Sequence, residues 1–275
     1  MLELSDIAKP FLRWAGGKTW LLKHLGELLP AEGFNNYHEP FLGGASIFLA
    51  LNPRFSYLSD LNEELIETYE TLRDMPEQVI ACLSEHVNEE DYYYQLRESS
   101  LSNPVERAAK FIYLNQTSFN GIYRVNLNGK YNVPFGHRSK NFLEPEKLRQ
   151  VSERLHSVKF QKGDFSIILE NVQENDLVFL DPPYTVSHNN NGFIKYNHKL
   201  FSLDDQIRLS EVIDEIKNRG AYYILTNAAH KKIKDIFEKG DALFTKSRAS
   251  LIGGALAQRG ATEEYIFTNT VQNSL

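Results

Sequence analysis

Asp181-Pro182-Pro183-Tyr184 follows directly on the apolar run Leu177-Val178-Phe179-Leu180. A carboxylate, two stiffened backbone positions and an aromatic plate in succession make an edge that offers acceptors only. Successive prolines fix φ at about −65°, remove two N–H donors and hold the preceding residues extended. Such an edge suits a flat substrate that brings N–H donors, for instance the exocyclic amine of a nucleobase, with Tyr184 as its stacking surface. By itself the tetrapeptide fits a strand running into a proline-rich turn equally well.

Other segments carry chemistry of their own. Glu39-Pro40-Phe41-Leu42-Gly43-Gly44 reads as a strand-to-helix turn whose glycines let the backbone approach a ligand closely. Asp60 stands about 20 residues further on, the distance and position at which an acid takes the two hydroxyls of a ribose. That pairing points to an adenosine-containing cofactor, although the G-x-G-x-x-G dinucleotide pattern is absent. In Gly163-Asp164-Phe165, Asp164 can accept from an adenine amine or cap a helix, and Phe165 can pack on a ring. Ala15-Gly16-Gly17-Lys18-Thr19 suggests a phosphate loop, but Leu12 occupies the position where that motif needs glycine. Lys18, beside Trp14 at the start of a helix, remains able to meet an anionic group such as a carboxylate.

The elements that must position these residues alternate between strand and helix. A helix is predicted after Gly16-Gly17 through Trp20, Leu21, Leu22 and Leu25, a strand near Tyr37-His38-Glu39, and a helix through Ile47, Phe48 and Leu51. Phe55–Ser59 is the next strand and ends at Asp60, giving the β-loop-α-β unit of a doubly wound sheet. Residues 61 to about 115 read mostly as helices with acidic outer faces. Alternation then runs through Tyr123, Val125, Leu127 and Tyr131, Val133, Phe135 around Asn128-Gly129, a strong hairpin signal. Strands follow at Val158–Gln161, Leu177–Leu180 and Tyr222–Thr226, with a helix over Leu203–Asn218 between the last two. Ala242–Phe244 and Glu264–Thr268 make a closing hairpin. A helical and hairpin module, 61–145, therefore interrupts an α/β domain formed by 1–60 and 146–275.

Composition bounds the partners. The single cysteine, Cys82, excludes a disulfide framework and fits a reducing cytoplasm. Neither a secretory leader nor about 18 consecutive apolar residues is visible, so a membrane partner is not expected. The net charge of −6 opposes nucleic-acid binding on average, but its distribution does not. Asp60 to Glu98 holds twelve acids against Arg73 and Arg97, while Arg107 to Leu143 has six lysines and arginines and no acid. Ala242 to Thr262 is also free of acids and carries Lys246, Arg248 and Arg259. Screening confines a field to about 8–10 Å, so a local basic face can hold phosphates on an acidic protein. The histidines show no ligand spacing, and no metal is expected.

The motifs Phe11-Leu12-Arg13-Trp14-Ala15-Gly16-Gly17-Lys18, Glu39–Gly44, Asp60, Phe119–Asn126, Tyr131–Gly136 and Asp181–Tyr184 occur in that order over residues 11 to about 269. In this the chain resembles the Dam family of DNA adenine methyltransferases. The resemblance implies a mixed seven-stranded Rossmann-like sheet with an inserted target-recognition module, acting on double-stranded DNA with S-adenosylmethionine as cofactor. Trp14 and Lys18 would meet the cofactor's methionine end, Glu39, Phe41 and Gly43 would line its pocket, Asp60 would hold the ribose, and Asp164 and Phe165 the adenine. Asp181 matches the catalytic aspartate, adjoining both cofactor and base, with the Pro182 carbonyl as second acceptor and Tyr184 as stacking aromatic. Arg124 matches an arginine that reads guanine, the contact favoured in the major groove. Arg13, Asn120, Ile122, Asn126, Asn132, Pro134, Arg138 and Lys140 complete the expected DNA surface.

Members of this family with such a hairpin commonly methylate adenine in GATC, and a cognate restriction enzyme acting on the same site is a possible partner. No stable protein partner is implied. Three positions depart from the family pattern. Arg13 replaces a lysine, Gly43-Gly44-Ala45 varies the small-residue loop, and Thr226-Asn227-Ala228-Ala229 stands where some relatives place histidine and aspartate. Methylation of cytosine N4 or of an RNA base, and an inactive DNA-binding module, remain as alternatives.

Overall fold

A computed structural model of the chain describes residues 8–126, 129–138, 141–185, 201–249 and 261–271. Its strands are β1 (Tyr37–Glu39), β2 (Ser56–Asp60), β3 (Val158–Lys162), β4 (Leu177–Leu180), β5 (Tyr222–Ala228), β6 (Ala242–Ala249) and β7 (Ala261–Thr268). They form one seven-stranded mixed sheet in the order β3-β2-β1-β4-β5-β7-β6. β4 runs parallel to both β1 and β5, while β7 is antiparallel to β5 and β6. The strand succession reverses between β1 and β4. At such a switch point α/β sheets bind ligands beyond the carboxyl ends of the strands. Asp181 stands there as the first residue past β4.

The helices, in chain order, are α1 (Leu25–Leu28), α2 (Ser46–Leu51), α3 (Glu63–Asp74), α4 (Pro76–Ser84), α5 (Glu90–Glu98), α6 (Pro104–Thr117), α7 (Pro145–Leu155), α8 (Leu203–Asn218) and α9 (Lys231–Phe237). The chain divides into two compact units. One comprises Met1–Thr19, Leu42–Arg54 and Leu58–Gly163; the other comprises Trp20–Phe41, Phe55–Tyr57 and Asp164–Leu275.

In the first unit α3 and α6 form the central helix pair. The Asn62 side chain caps α3 by accepting from Leu65 N–H at 3.1 Å, and Glu63 and Glu64 suit the positive end of the helix dipole. The helix buries Leu65, Ile66, Tyr69 and Leu72, the spacing of one apolar face. Asn103 and Pro104 start α6, which buries Ala108, Ala109, Phe111 and Ile112.

In the second unit every residue of β4 is buried, as its continuous apolar run requires. Val178 and Leu180 join Tyr223 and Leu225 of β5 and Leu209, Ile213 and Ile216 of α8 in one apolar cluster. Burying such a side chain stabilises by roughly 1.5–3 kcal/mol, so the cluster fixes the ends of β4 and β5 firmly. Ser202 and Asp205 form a reciprocal capping box at the start of α8.

Two local expectations change. The helix after Gly16-Gly17 begins as a 3-10 turn, Thr19–His24, and is α-helical only over Leu25–Leu28. Leu29 precedes Pro30 and is extended at ψ 146°, which ends the helix. The hairpin expected around Asn128-Gly129 is reduced among the described residues to two isolated antiparallel bridges, Val125 with Tyr131 and Ser118 with Phe135. Its polar groups are spent locally: Asn126 N–H donates to Lys130 O, and the Tyr131 hydroxyl donates to the Ile122 carbonyl at 3.2 Å. Leu127 and Asn128 lie outside the described residues, as does Lys140. No helix among the described residues is long and apolar enough to cross a membrane.

Candidate active site

In the second unit, β4 delivers the acceptor edge and its neighbours hold it. The Thr226 hydroxyl, in the carboxyl-terminal half of β5, donates to Asp181 Oδ1 at 2.9 Å. The Gln206 amide donates to Thr185 Oγ1 at 2.7 Å and to the Pro183 carbonyl at 3.4 Å. Asn227 Nδ2 donates in turn to Gln206 Oε1 at 3.0 Å. The Tyr184 hydroxyl donates to buried Glu264 of β7. Pro182 is buried, while Asp181 and Tyr184 are half-buried and reachable.

Around this edge the Phe41 ring stacks on Phe165, with centroids 5.6 Å apart, and meets Phe201 edge-on at 5.7 Å. Asp164 caps the 3-10 helix Phe165–Glu170 through Ser166 N–H at 3.1 Å, and also accepts Arg208 Nη2 at 2.8 Å. The Arg208 guanidinium lies 4.9 Å from the Phe165 ring centre. Glu39 is buried and accepts the Tyr37 hydroxyl at 2.9 Å. Burial first, then the Glu39 charge, push the Tyr37 phenol well above its ordinary range.

In the first unit Asp60 accepts one backbone N–H on each oxygen, Gly43 at 3.1 Å and Asn62 at 3.0 Å. Burial nevertheless pushes its carboxyl up, against the pull of those N–H groups. Gly43 has φ +47°, and a Cβ there would come 2.7 Å from Trp14 Cδ1, so the indole takes the space that the glycine leaves. The same indole stacks on Tyr123, with centroids 5.4 Å apart and planes 18° apart. Lys18 is buried, its ammonium donating to the Gly16 carbonyl at 2.7 Å. No strand precedes it among residues 8–18, which removes the phosphate-loop reading.

The expected DNA-reading residues of that unit divide by exposure. Arg124 is exposed and donates to Asn132 Oδ1 at 2.8 Å and to the Asn132 carbonyl at 3.2 Å. Asn126 and Pro134 are exposed, as is Asn120, which adopts φ +57°; Ile122 is half-buried. Arg13 is clamped at its backbone by Asn115 through bonds of 2.8 and 2.7 Å. Its guanidinium lies over Gly121, where a Cβ would come 2.5 Å from Nη1. Arg138 is half-buried, with its carbonyl accepting Asn88 Nδ2 at 2.6 Å.

Comparison with known proteins decides the family. Residues 14–250 match the D12 class N6 adenine-specific DNA methyltransferase family. The chain belongs to that family. It is 35% identical over 273 residues to the type II methyltransferase M1.LlaDCHI of Lactococcus lactis subsp. cremoris, covering 95% of both chains. It is 35% identical to the type II methyltransferase M.MjaIII of Methanocaldococcus jannaschii, covering 80% of this chain and 84% of that one. The DNA adenine methylase of Escherichia coli K12 is 28% identical, over 88% and 89% of the two chains.

The protein is thus an adenine-specific DNA methyltransferase. Among the residues that brace this edge, sequence reasoning singled out Thr226 and Asn227 only as a departure from the family pattern, and it missed Gln206 and Glu264. Gln206 falls on the apolar face of α8 by its spacing, and it is fully buried there. A polar residue at a core position of a helix was the signal that could have found it. Glu264 shares a face of β7 with Ile266 by strand alternation and is likewise fully buried.

Proposed function

We propose that this methyltransferase moves a methyl group from S-adenosylmethionine to N6 of an adenine turned out of double-stranded DNA, within GATC. The observation that carries the reading is the reachable carboxylate of Asp181 at the carboxyl end of β4, on an edge of acceptors backed by Tyr184. The residues present suit the cofactor. Buried Lys18 supplies a cation for a carboxylate, Asp60 keeps lone pairs for ribose hydroxyls beside its backbone N–H partners, and Phe41 and Phe165 offer aromatic faces to adenine. Trp14, Glu39, Gly43 and Asp164 complete that set. Residues 61–145 serve as the recognition module.

When bound, S-adenosylmethionine supplies an electrophilic methyl group on a sulfonium and leaves as a thioether. The chain does the rest by positioning. Tyr184 stacks on the turned-out base, and the Asp181 carboxylate and Pro182 carbonyl each accept one N6 hydrogen. Those two acceptors draw the nitrogen toward a pyramidal shape and free its lone pair for the methyl carbon. As the new N–C bond forms, the surplus N6 proton departs along the Asp181 hydrogen bond. Most of the acceleration comes from orientation and from the fixed acceptor charge.

Arg124 supports guanine readout, and Arg13, Asn120, Ile122, Asn126, Asn132, Pro134 and Arg138 surround the same task, with Lys140 in the same basic stretch. The relatives named type II methyltransferases support pairing with a restriction enzyme of the same site. Mass analysis of nucleosides from treated duplex DNA tests the reading: N6-methyladenine is expected, and N4-methylcytosine or no methyl group overturns it. Asp181→Ala should abolish transfer while circular dichroism stays unchanged, and modified-base sequencing should place the methyl groups in GATC.

A further inference from the structure

We infer that Thr226 is a positioning residue for methyl transfer, holding the Asp181 carboxylate in the orientation that receives the adenine amine; this rests on the function proposed above. The parallel register pairs Leu180 with Leu225, so the next residue of each strand, Asp181 and Thr226, meets beyond the last paired position. The Thr226 hydroxyl lies 2.9 Å from Asp181 Oδ1 and 3.5 Å from the Leu180 carbonyl, and its side chain is fully buried. An ionised carboxylate only accepts, so the hydroxyl must donate to it. Threonine is β-branched and stiff at χ1, so the donor arrives from one direction only. A carboxylate's last torsion is intrinsically soft, so a donor of fixed direction helps to set it.

The rest of the edge is held separately. Gln206 bonds Thr185 and the Pro183 carbonyl, and Asn227 fixes the other end of the Gln206 amide. Thr185, Gln206, Thr226 and Asn227 are all at 0% exposure, and each has a hydrogen-bond partner. Buried polar groups are costly unless satisfied, and a fully satisfied network rigidifies what it touches. The backbone of the tetrapeptide thus keeps its anchors when the Thr226 hydroxyl is removed, and the substitution acts on the direction of the carboxylate.

The test is Thr226→Val, which keeps shape and removes the donor, beside Thr226→Ser, which keeps the donor. With S-adenosylmethionine and a duplex substrate, Thr226→Val should lower kcat about tenfold to a hundredfold, as expected for a misdirected reacting group. KM for both substrates should stay within about twofold, and Thr226→Ser should recover most of kcat. Should the valine variant fail to fold, Thr226→Ala makes the same comparison. Failure of both to fold assigns Thr226 to stability alone and overturns the inference, as does an unchanged kcat or a loss carried in KM. If wild-type protein places no methyl group on adenine, the functional reading itself fails, and that outcome is separate from the variant series.

Discussion

Asp60 illustrates how a single residue can be tuned against its environment. Burial pushes its carboxyl up, outweighing the backbone N–H groups of Asn62, Gly43 and Leu61 that favour its charge. In its proposed role only the ionised form would accept both ribose hydroxyls, so donor binding should weaken as pH falls through this raised value. The loss should therefore begin at a higher pH than for an ordinary aspartate, whose value is about 3.9. Calorimetric titration of S-adenosylmethionine from neutral to mildly acidic pH tests this. Asp60→Asn should bind more weakly and lose the pH dependence; a wild-type affinity that stays flat down to about pH 4 would count against the role. The meeting of Asp60 with the glycine turn was legible because it follows from spacing along the chain. Thr226 was not, because its partner Asp181 comes from another strand, and only the sheet register brings the two together.

At the scale of elements, the segment 118–136 departs furthest from its sequence signature. Alternation predicted a continuous ladder, but the described residues of the segment pair only at Val125–Tyr131 and at the base, where Phe119 N–H donates to Pro134 O and Gly136 N–H to Thr117 O, both at 2.9 Å. These bonds fasten it to the end of α6 and leave the side chains of Arg124 and Asn126 exposed. Periodicity records which side chains alternate, whereas these anchors come from main-chain groups of a neighbouring helix end, to which periodicity is blind. A Cβ on Gly136 would come 2.5 Å from the Ser118 carbonyl oxygen, a backbone atom with little room to give. Gly136→Ala should cost about 1–3 kcal/mol, read as a lower urea midpoint, and should weaken DNA binding more than cofactor binding. An unchanged midpoint would show that this base does not hold the segment. β1 to β5 and α8 were read within a residue or two, because β4 is wholly apolar and α8 carries its own capping box, whereas β6 runs on to Ala249 and β7 begins at Ala261, beyond the expected Ala242–Phe244 and Glu264–Thr268.

For the whole molecule the charge balance sets the problem, since a chain of net charge −6 must bind a polyanion. Screening resolves it. Beyond about 8–10 Å the acids of residues 60–98 lose most of their effect at physiological salt, while basic side chains that reach phosphates act at contact distance. Lys130, exposed in the acid-free stretch, is suited to such a contact: its backbone is already bonded to Asn126, so its side chain is replaceable without disturbing the turn. Each phosphate contact contributes a slope of about −0.9 in log affinity against log salt. Lys130→Ala should therefore weaken GATC and unrelated duplexes alike and flatten that slope by about one unit. Fluorescence anisotropy between about 50 and 200 mM salt reads both quantities. A change in preference between the two duplexes at constant slope would instead make Lys130 a base reader and remove the local-charge account. The low-salt limit separates the two further, because long-range repulsion from the acidic stretch grows as the screening length lengthens to about 30 Å at 10 mM. Affinity should thus rise less steeply at very low salt than the contact slope alone would give.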